Sequence, residues 1–220
     1  MQALDHSAYL ALREDAQVLE ADGSGDKVLR LRDGHMLKLF RRKRLLSSAL
    51  FFPYAERFAD NAKALASLGI PCPAVIATYR IASIARDAVY YQPLPGQTLR
   101  QLLDDAPQGQ ALRTQLGRFV ARLHEAGVYF RSLHLGNVVL TPEQELGLID
   151  IADLRCQRRA LRDSQRERNF HHMLRYSQDR LWLLGEDAGE TFLESYRQEL
   201  ERGQSRPRPR LLNNLRQLLD

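Results

Sequence analysis

The sequence predicts an α+β protein in two parts: an N-terminal five-stranded antiparallel sheet with one long helix over residues 1–92, and a mainly helical part over residues 93–220. Three observations predict it. Short apolar runs punctuated by glycine turns fill the stretch up to Phe40, apolar residues recur at helical spacing from Pro53 to Leu68, and a longer helical stripe runs from Gln110 to Ala126. The 220 residues, 44% of them hydrophobic, are enough to bury a substantial core in one compact domain or two closely packed lobes.

After a short helical segment near Tyr9–Asp15, the stretch Gln17–Glu20 enters the turn Asp22-Gly23-Ser24-Gly25-Asp26 and leaves through Lys27–Leu31, which reads as a hairpin. A second turn, Arg32-Asp33-Gly34-His35, precedes Met36–Phe40, so three antiparallel strands are expected. In the helix that follows, Phe58, Ala62, Leu65 and Leu68 share a face, Glu56, Asp60 and Lys63 lie elsewhere, and Gly69 supplies the stop. Ile70–Ala77 and Asp87–Tyr91 add two strands. The rigid connection Gln92-Pro93-Leu94-Pro95-Gly96 then sets the boundary between the parts. Beyond it the pattern predicts helices over Thr98–Asp104 and Gln110–Ala126, the latter burying Leu112, Leu116, Phe119, Val120 and Leu123. Asn137–Leu140 and Leu146–Asp150 read as a hairpin around residues 141–145, and weaker helical patterns follow residue 165.

Lysine and arginine together number 32 against 27 aspartates and glutamates, with arginine concentrated in 155–168 and 202–210. Such a surplus suits phosphorylated sugar, acidic lipid head groups, nucleic acid or a solvated face, and charge does not choose among them. A nucleic-acid role is disfavoured, because the tail Arg206-Pro207-Arg208-Pro209-Arg210 has no interleaved aromatic residues to make a stacking platform. Cys72 and Cys156 are too few for a disulfide framework or a zinc site, which fits a reducing cytoplasm. No basic region leading into an apolar stretch opens the chain and no run reaches bilayer length, so a soluble or peripheral protein is expected. The adjacent His171 and His172 are too close in sequence to ligate one metal from a helix, and a surface or packing role is expected for them.

The most informative segment runs from Val128 to Leu140 through Phe130-Arg131-Ser132-Leu133-His134-Leu135-Gly136-Asn137, and continues after the turn with Leu148-Ile149-Asp150. Asparagine and aspartate are oxygen donors at the ends of adjoining strands, where hard cations can be held against phosphates; alone, each reads equally as a cap or a turn residue. The segment is similar to the catalytic loop of protein-kinase-like enzymes, whose pattern is His-x-Asp-x-x-x-x-Asn, a hairpin and a metal aspartate. That resemblance implies a two-lobed protein-kinase-like fold binding ATP and Mg2+ between its lobes, with Asn137 and Asp150 as the metal residues.

Upstream parts come in the expected order. Lys38 resembles the strand lysine that pairs with the nucleotide phosphates, Gly23 and Gly25 the glycines that let backbone N–H groups approach them, and Glu56 the helix carboxylate that orients the lysine. Alignment backwards from Gly69 puts Phe58 rather than Glu56 in that last place. Val28 stands where a third glycine would be, and Gln92 and Leu94 fall in the adenine-reading hinge that the resemblance implies. Within this group, the short length, Gly69-Ile70-Pro71-Cys72-Pro73 and Leu133-His134-Leu135-Gly136-Asn137 resemble the bacterial lipopolysaccharide core kinases that phosphorylate heptose or Kdo. The resemblance covers residues 17–180 and implies a cytoplasmic enzyme acting on core oligosaccharide or a lipid-linked sugar, with the basic segments meeting the inner-membrane surface.

One departure bears on catalysis. The family carries an aspartate five residues before the metal asparagine, and this chain has Ser132 there, with Phe130 in place of the preceding histidine. Serine has no useful basicity near neutral pH. Three readings stay open: His134 or Ser132 faces the acceptor hydroxyl, positioning and charge neutralisation alone sustain slow transfer, or the domain is a pseudokinase acting as regulator or scaffold. Asp153 is a further carboxylate near the metal position, more often solvated at the start of such a segment.

Overall fold

The computed structural model describes residues 1–42, 53–103, 109–203 and 209–219. The chain forms two compact units, one of Met1–Ser67 with Cys72–Leu94 and the other of Leu68–Pro71 with Pro95–Asp220.

The first unit is a sheet covered by helices. Its strands are β1 (Gln2–Ala3), β2 (Gln17–Asp22), β3 (Gly25–Arg30), β4 (Met36–Arg41), β5 (Ala74–Ile81) and β6 (Arg86–Gln92), in the order β1-β5-β6-β4-β3-β2. The five expected antiparallel strands are present. A sixth, β1, pairs parallel to β5 through Gln2↔Tyr79 and Ala3↔Arg80; two residues are too short for any pattern to announce. Helix α1 (His6–Arg13) starts earlier than apolar spacing alone suggested, because the Asp5 carboxylate caps it by accepting the Ala8 N–H at 2.8 Å. Its Tyr9 packs over Leu29, Leu37, Leu39, Ile81 and Ala88.

Helix α2 (Tyr54–Ser67) buries Ala55, Phe58, Ala59, Ala62 and Leu65, of which Phe58 and Leu65 each contribute up to about 1.5–3 kcal/mol. Leu68, expected on the same face, is exposed, since the helix has already ended and Gly69 turns the chain at φ 68°. Residues 70–73 are not strand as expected. Pro71 and Pro73 delay β5 to Ala74, and the Pro71 carbonyl accepts the Leu148 N–H at 2.9 Å within the second unit.

The second unit holds helices α3 (Gly109–Glu125), α4 (Asp163–Met173), α5 (Ser177–Leu184), α6 (Glu190–Arg202) and α7 (Pro209–Leu219). Strands β7 (Gln97–Thr98), β9 (Val138–Leu140) and β10 (Leu146–Leu148) form one small sheet, and β8 (Val128–Phe130) with β11 (Leu154–Cys156) another. The helix expected over Thr98–Asp104 is instead strand then turn. Gln97 and Thr98 pair with Leu140 and Val139, and the Leu102 N–H returns to the Thr98 carbonyl; Asp104 lies outside the described residues.

Helices α3 and α6 touch at Gly117, where a Cβ would lie 2.2 Å from Ser195 Oγ and 2.5 Å from the Phe192 carbonyl. Beside this contact, Phe170 meets His124, Phe192 and Tyr196 edge to face, and His124 meets Tyr196 in the same way. His124 is fully buried, Nδ1 lies 2.9 Å from the Tyr196 hydroxyl, and burial lowers its pKa to about 3, so the ring is neutral. Arg166 does not belong to a solvated basic face: it is 6% exposed, bonded to Glu125 at 2.6 Å and to the Tyr196 hydroxyl at 3.3 Å. The other arginines of that stretch, Arg155, Arg158, Arg159, Arg162 and Arg168, are exposed.

Candidate functional site

The segment from β8 to β11 is a loop and a hairpin closed by their own pairing. Strand β8 ends at Phe130, opposite Leu154 of β11. The chain turns through Arg131–His134, with the Leu133 N–H on the Phe130 carbonyl at 3.1 Å, and makes a single 3₁₀ turn over Leu135–Asn137 before β9. Hairpin β9–β10 pairs Val138 with Leu148 and Leu140 with Leu146. A second 3₁₀ turn, Ile151–Asp153, leads back into β11. Gly127 opens the segment at φ 77°, where a Cβ would lie 2.4 Å from the Gln157 carbonyl, so only glycine fits between α3 and β11.

Asn137 and Asp150 stand at the two ends of this hairpin. Asn137 is 7% exposed, its Nδ2 donates to the Ser132 carbonyl at 2.9 Å, and its own carbonyl accepts the Ile149 N–H at 3.1 Å. That hydrogen bond holds the side-chain amide in place and uses its Nδ2, not its Oδ1. Asp150 is exposed and lies in the left-handed region at φ 53°, ψ 44°, which costs a non-glycine residue about 1–2 kcal/mol. Strain of that kind collects at functional positions.

Ser132 and His134 differ. The Ser132 hydroxyl donates to Asp153 Oδ2 at 2.8 Å. Asp153 is partly exposed: burial is the largest influence on it and pushes its pKa up, and its Oδ1 is buried with no hydrogen-bond partner among the described residues. His134 is half-buried, edge-on to Tyr176 at 5.1 Å, and its pKa is lowered by burial first and by Arg100 second.

Two anchors were invisible in the sequence. Asp179 of α5, 0% exposed, takes a bidentate bond from Arg100 at 2.9 and 2.7 Å and the Leu135 N–H at 3.0 Å, tying the loop to the helical core. Asn169 of α4, also buried, donates to the Phe130 carbonyl at 2.9 Å. A buried aspartate inside a helix leaves no periodic signal; only its partners, 44 and 79 residues away, explain it.

The first unit carries the remaining residues. Lys38 lies mid-strand on β4, half-buried between Leu37 and Leu39, in register with Val28 and Val89, its Nζ 6.0 Å from the Phe40 ring centre. Gly23 and Gly25 form the exposed β2–β3 turn, Gly25 at φ 107° and neither with any atom within 4 Å of an added Cβ. Glu56, in the first turn of α2, lies 3.4 Å from the Met1 ammonium. Gln92 ends β6 opposite Ala74 and is exposed, and Leu94 follows in the connection, half-buried. No group of three or more His, Cys, Asp or Glu side chains gathers as a metal cluster among the described residues, and none of the described helices is long and apolar enough to cross a membrane.

Sheet unit, helical unit and the loop–hairpin–aspartate segment together define a protein-kinase-like chain. By its match to the family's model over residues 16–196, the chain belongs to the lipopolysaccharide kinase (Kdo/WaaP) family. It is also 31% identical over 84 residues to the EKC/KEOPS complex subunit BUD32 of Encephalitozoon cuniculi, a match spanning 38% of this chain and 40% of that protein. Among solved structures it resembles a divergent kinase, described as lacking the glycine-rich loop and regulating membrane ultrastructure of the Toxoplasma parasitophorous vacuole. That likeness has a TM-score of 0.51 and 17% identity, covers 100% of this chain and 91% of the other, and speaks to fold alone.

Proposed function

We propose that the protein is an ATP-dependent phosphotransferase acting on a sugar hydroxyl of the lipopolysaccharide core, with residues 1–92 serving the nucleotide and residues 93–220 the metal and acceptor. The observation that carries this reading is the pairing of a fixed asparagine and an exposed, strained aspartate at the ends of one hairpin, with the Asn137 amide bonded back to the Ser132 carbonyl. Such a donor set suits magnesium. The ion takes hard oxygen ligands, needs only one or two from the protein, and completes its shell with phosphate oxygens and water. Asn137 and Asp150 would hold it, and bound there it would neutralise charge on the phosphates.

The chain's own residues do the rest. Lys38 pairs with phosphate oxygens, Gly23 and Gly25 offer backbone N–H groups, and Gln92 and Leu94 border the adenine, while the Glu56 carboxylate lies against the Met1 ammonium. Ser132 or His134 faces the acceptor hydroxyl; burial keeps the His134 ring neutral and able to accept a proton. The exposed arginines Arg155, Arg158, Arg159, Arg162 and Arg168 suit the phosphates of the core or an anionic membrane surface, which fits a cytoplasmic protein working at the inner membrane.

The test is calorimetry of Mg-ATP binding on the wild type and on Asp150→Ala, followed by ATP consumption with isolated lipopolysaccharide core as acceptor. Binding that disappears in the variant, together with core-dependent turnover in the wild type, is the expected result. Unchanged turnover in Asp150→Ala removes the mechanism. A second reading, a pseudokinase that regulates or scaffolds envelope assembly, draws on Ser132 standing where the family carries its aspartate. Retained ATP binding with no transfer to any core acceptor selects it.

A further inference from the structure

The hydroxyl of Ser132 and the carboxylate of Asp153 are brought together by strand register. In the antiparallel pair β8–β11, Phe130 faces Leu154, so the residues following Phe130 and preceding Leu154 leave the pair at the same end. Ser132 and Asp153 emerge there, 21 residues apart in sequence and joined at 2.8 Å. The Asn137 bond to the Ser132 carbonyl holds the serine from one side, and the turn Ile151–Asp153 holds the aspartate from the other.

We propose that Asp153 supplies, through Ser132, the carboxylate that position 132 itself lacks. The inference rests on the phosphotransferase reading and assigns its proton path. As the acceptor oxygen forms its bond to the γ-phosphorus, its proton passes to Ser132 Oγ and the serine's own proton passes to Asp153 Oδ2. The bond between the γ-phosphorus and the bridging oxygen breaks, its electron pair leaving on ADP, and Asp153 later returns its proton to water. Asp153 is thus a positioning residue and proton store, and Ser132 the group that meets the acceptor. Oδ2 is the oxygen in contact with the serine, and Oδ1 is buried with no hydrogen-bond partner among the described residues.

The surroundings favour proton acceptance. Burial raises the affinity of Asp153 for a proton, while the Ser132 bond and Arg131 oppose it, and His172 also feels its charge. A fully solvated aspartate would be a weaker base for the same hydroxyl.

The experiment compares wild type, Asp153→Asn, Ser132→Ala and the double variant Ser132→Asp/Asp153→Asn, each folded by circular dichroism, in ATP consumption with isolated lipopolysaccharide core. Asp153→Asn and Ser132→Ala are expected to lower kcat about 100-fold with the KM for ATP unchanged, and the double variant to recover to within about 10-fold of wild type. Carbon-13 titration of the Asp153 carboxyl, a readout free of turnover, is expected to give a higher pKa in Ser132→Ala. Wild-type kcat in Asp153→Asn, a double variant no faster than Asp153→Asn, or an unmoved Asp153 titration each overturns the inference while the phosphotransferase reading stands. A wild type that consumes no ATP overturns both.

Discussion

The hairpin of β2 and β3 and the hairpin of β9 and β10 both join short antiparallel strands through a tight polar turn, yet they are held in opposite ways. Every residue of β2 is exposed, and its pairing with β3 slips at two places between Val18 and Ala21. Strands β9 and β10 are buried at five of six positions, pair without a slip, and close through Thr141 and Glu145. Burial fixes register, because a slip of one residue would turn every side chain to the wrong face. The hairpin that presents Asn137 and Asp150 is therefore the stiff one, and the glycine-bearing hairpin the adaptable one.

The contrast breaks most severely if the anchor beneath the stiff hairpin is removed. Asp179→Ala leaves Arg100 and the Leu135 N–H without their shared carboxylate in a buried setting, and is expected to cost about 3–5 kcal/mol in urea unfolding. A loss under 1 kcal/mol would mean that the loop stands on its strands alone. Next comes Gly127→Ala, which meets both the left-handed φ of 77° and the Gln157 carbonyl 2.4 Å away; about 2–3 kcal/mol is expected, read as a lower melting temperature.

His124 sharpens the comparison through pH. Its carbonyl accepts the Gly127 and Leu161 N–H groups, so it underlies the start of β8. The folded pKa of about 3 lies below the usual value of 6.5, so its contribution is complete above pH 6.5 and is lost as pH falls towards 3, where only the unfolded chain takes the proton. Stability is expected to drop by about 1.4 kcal/mol per pH unit in that window from this group alone. His124→Gln should flatten the slope between pH 6 and pH 4.5, and an equal slope in both proteins would place the ring's proton elsewhere.

What the sequence disclosed follows the same division. Period-two and period-3.6 patterns exposed the strands and the apolar faces of α2 and α3, because burial there repeats along the chain. The motif from Phe130 to Asp150 announced the loop and hairpin that carry Asn137 and Asp150, because their spacing is local. Asp179, Asn169 and the bond between Ser132 and Asp153 act across distant segments, and each depends on a register or a helix packing that no local pattern encodes. Asp153 in particular reads as a solvated turn residue until β8 is paired with β11.

The adaptable hairpin offers the smallest and most selective test. Gly25 needs its φ of 107°, so Gly25→Ala is expected to cost about 1 kcal/mol although no atom crowds the position. Gly23 has neither a left-handed φ nor a neighbour within 4 Å of an added Cβ, so Gly23→Ala should leave stability within about 0.5 kcal/mol. Any change in Mg-ATP affinity in Gly23→Ala is then free of a folding contribution and reports directly on the approach of this turn to phosphate. A several-fold loss of affinity at unchanged melting temperature is the expected result; unchanged affinity would reduce the β2–β3 turn to a connection.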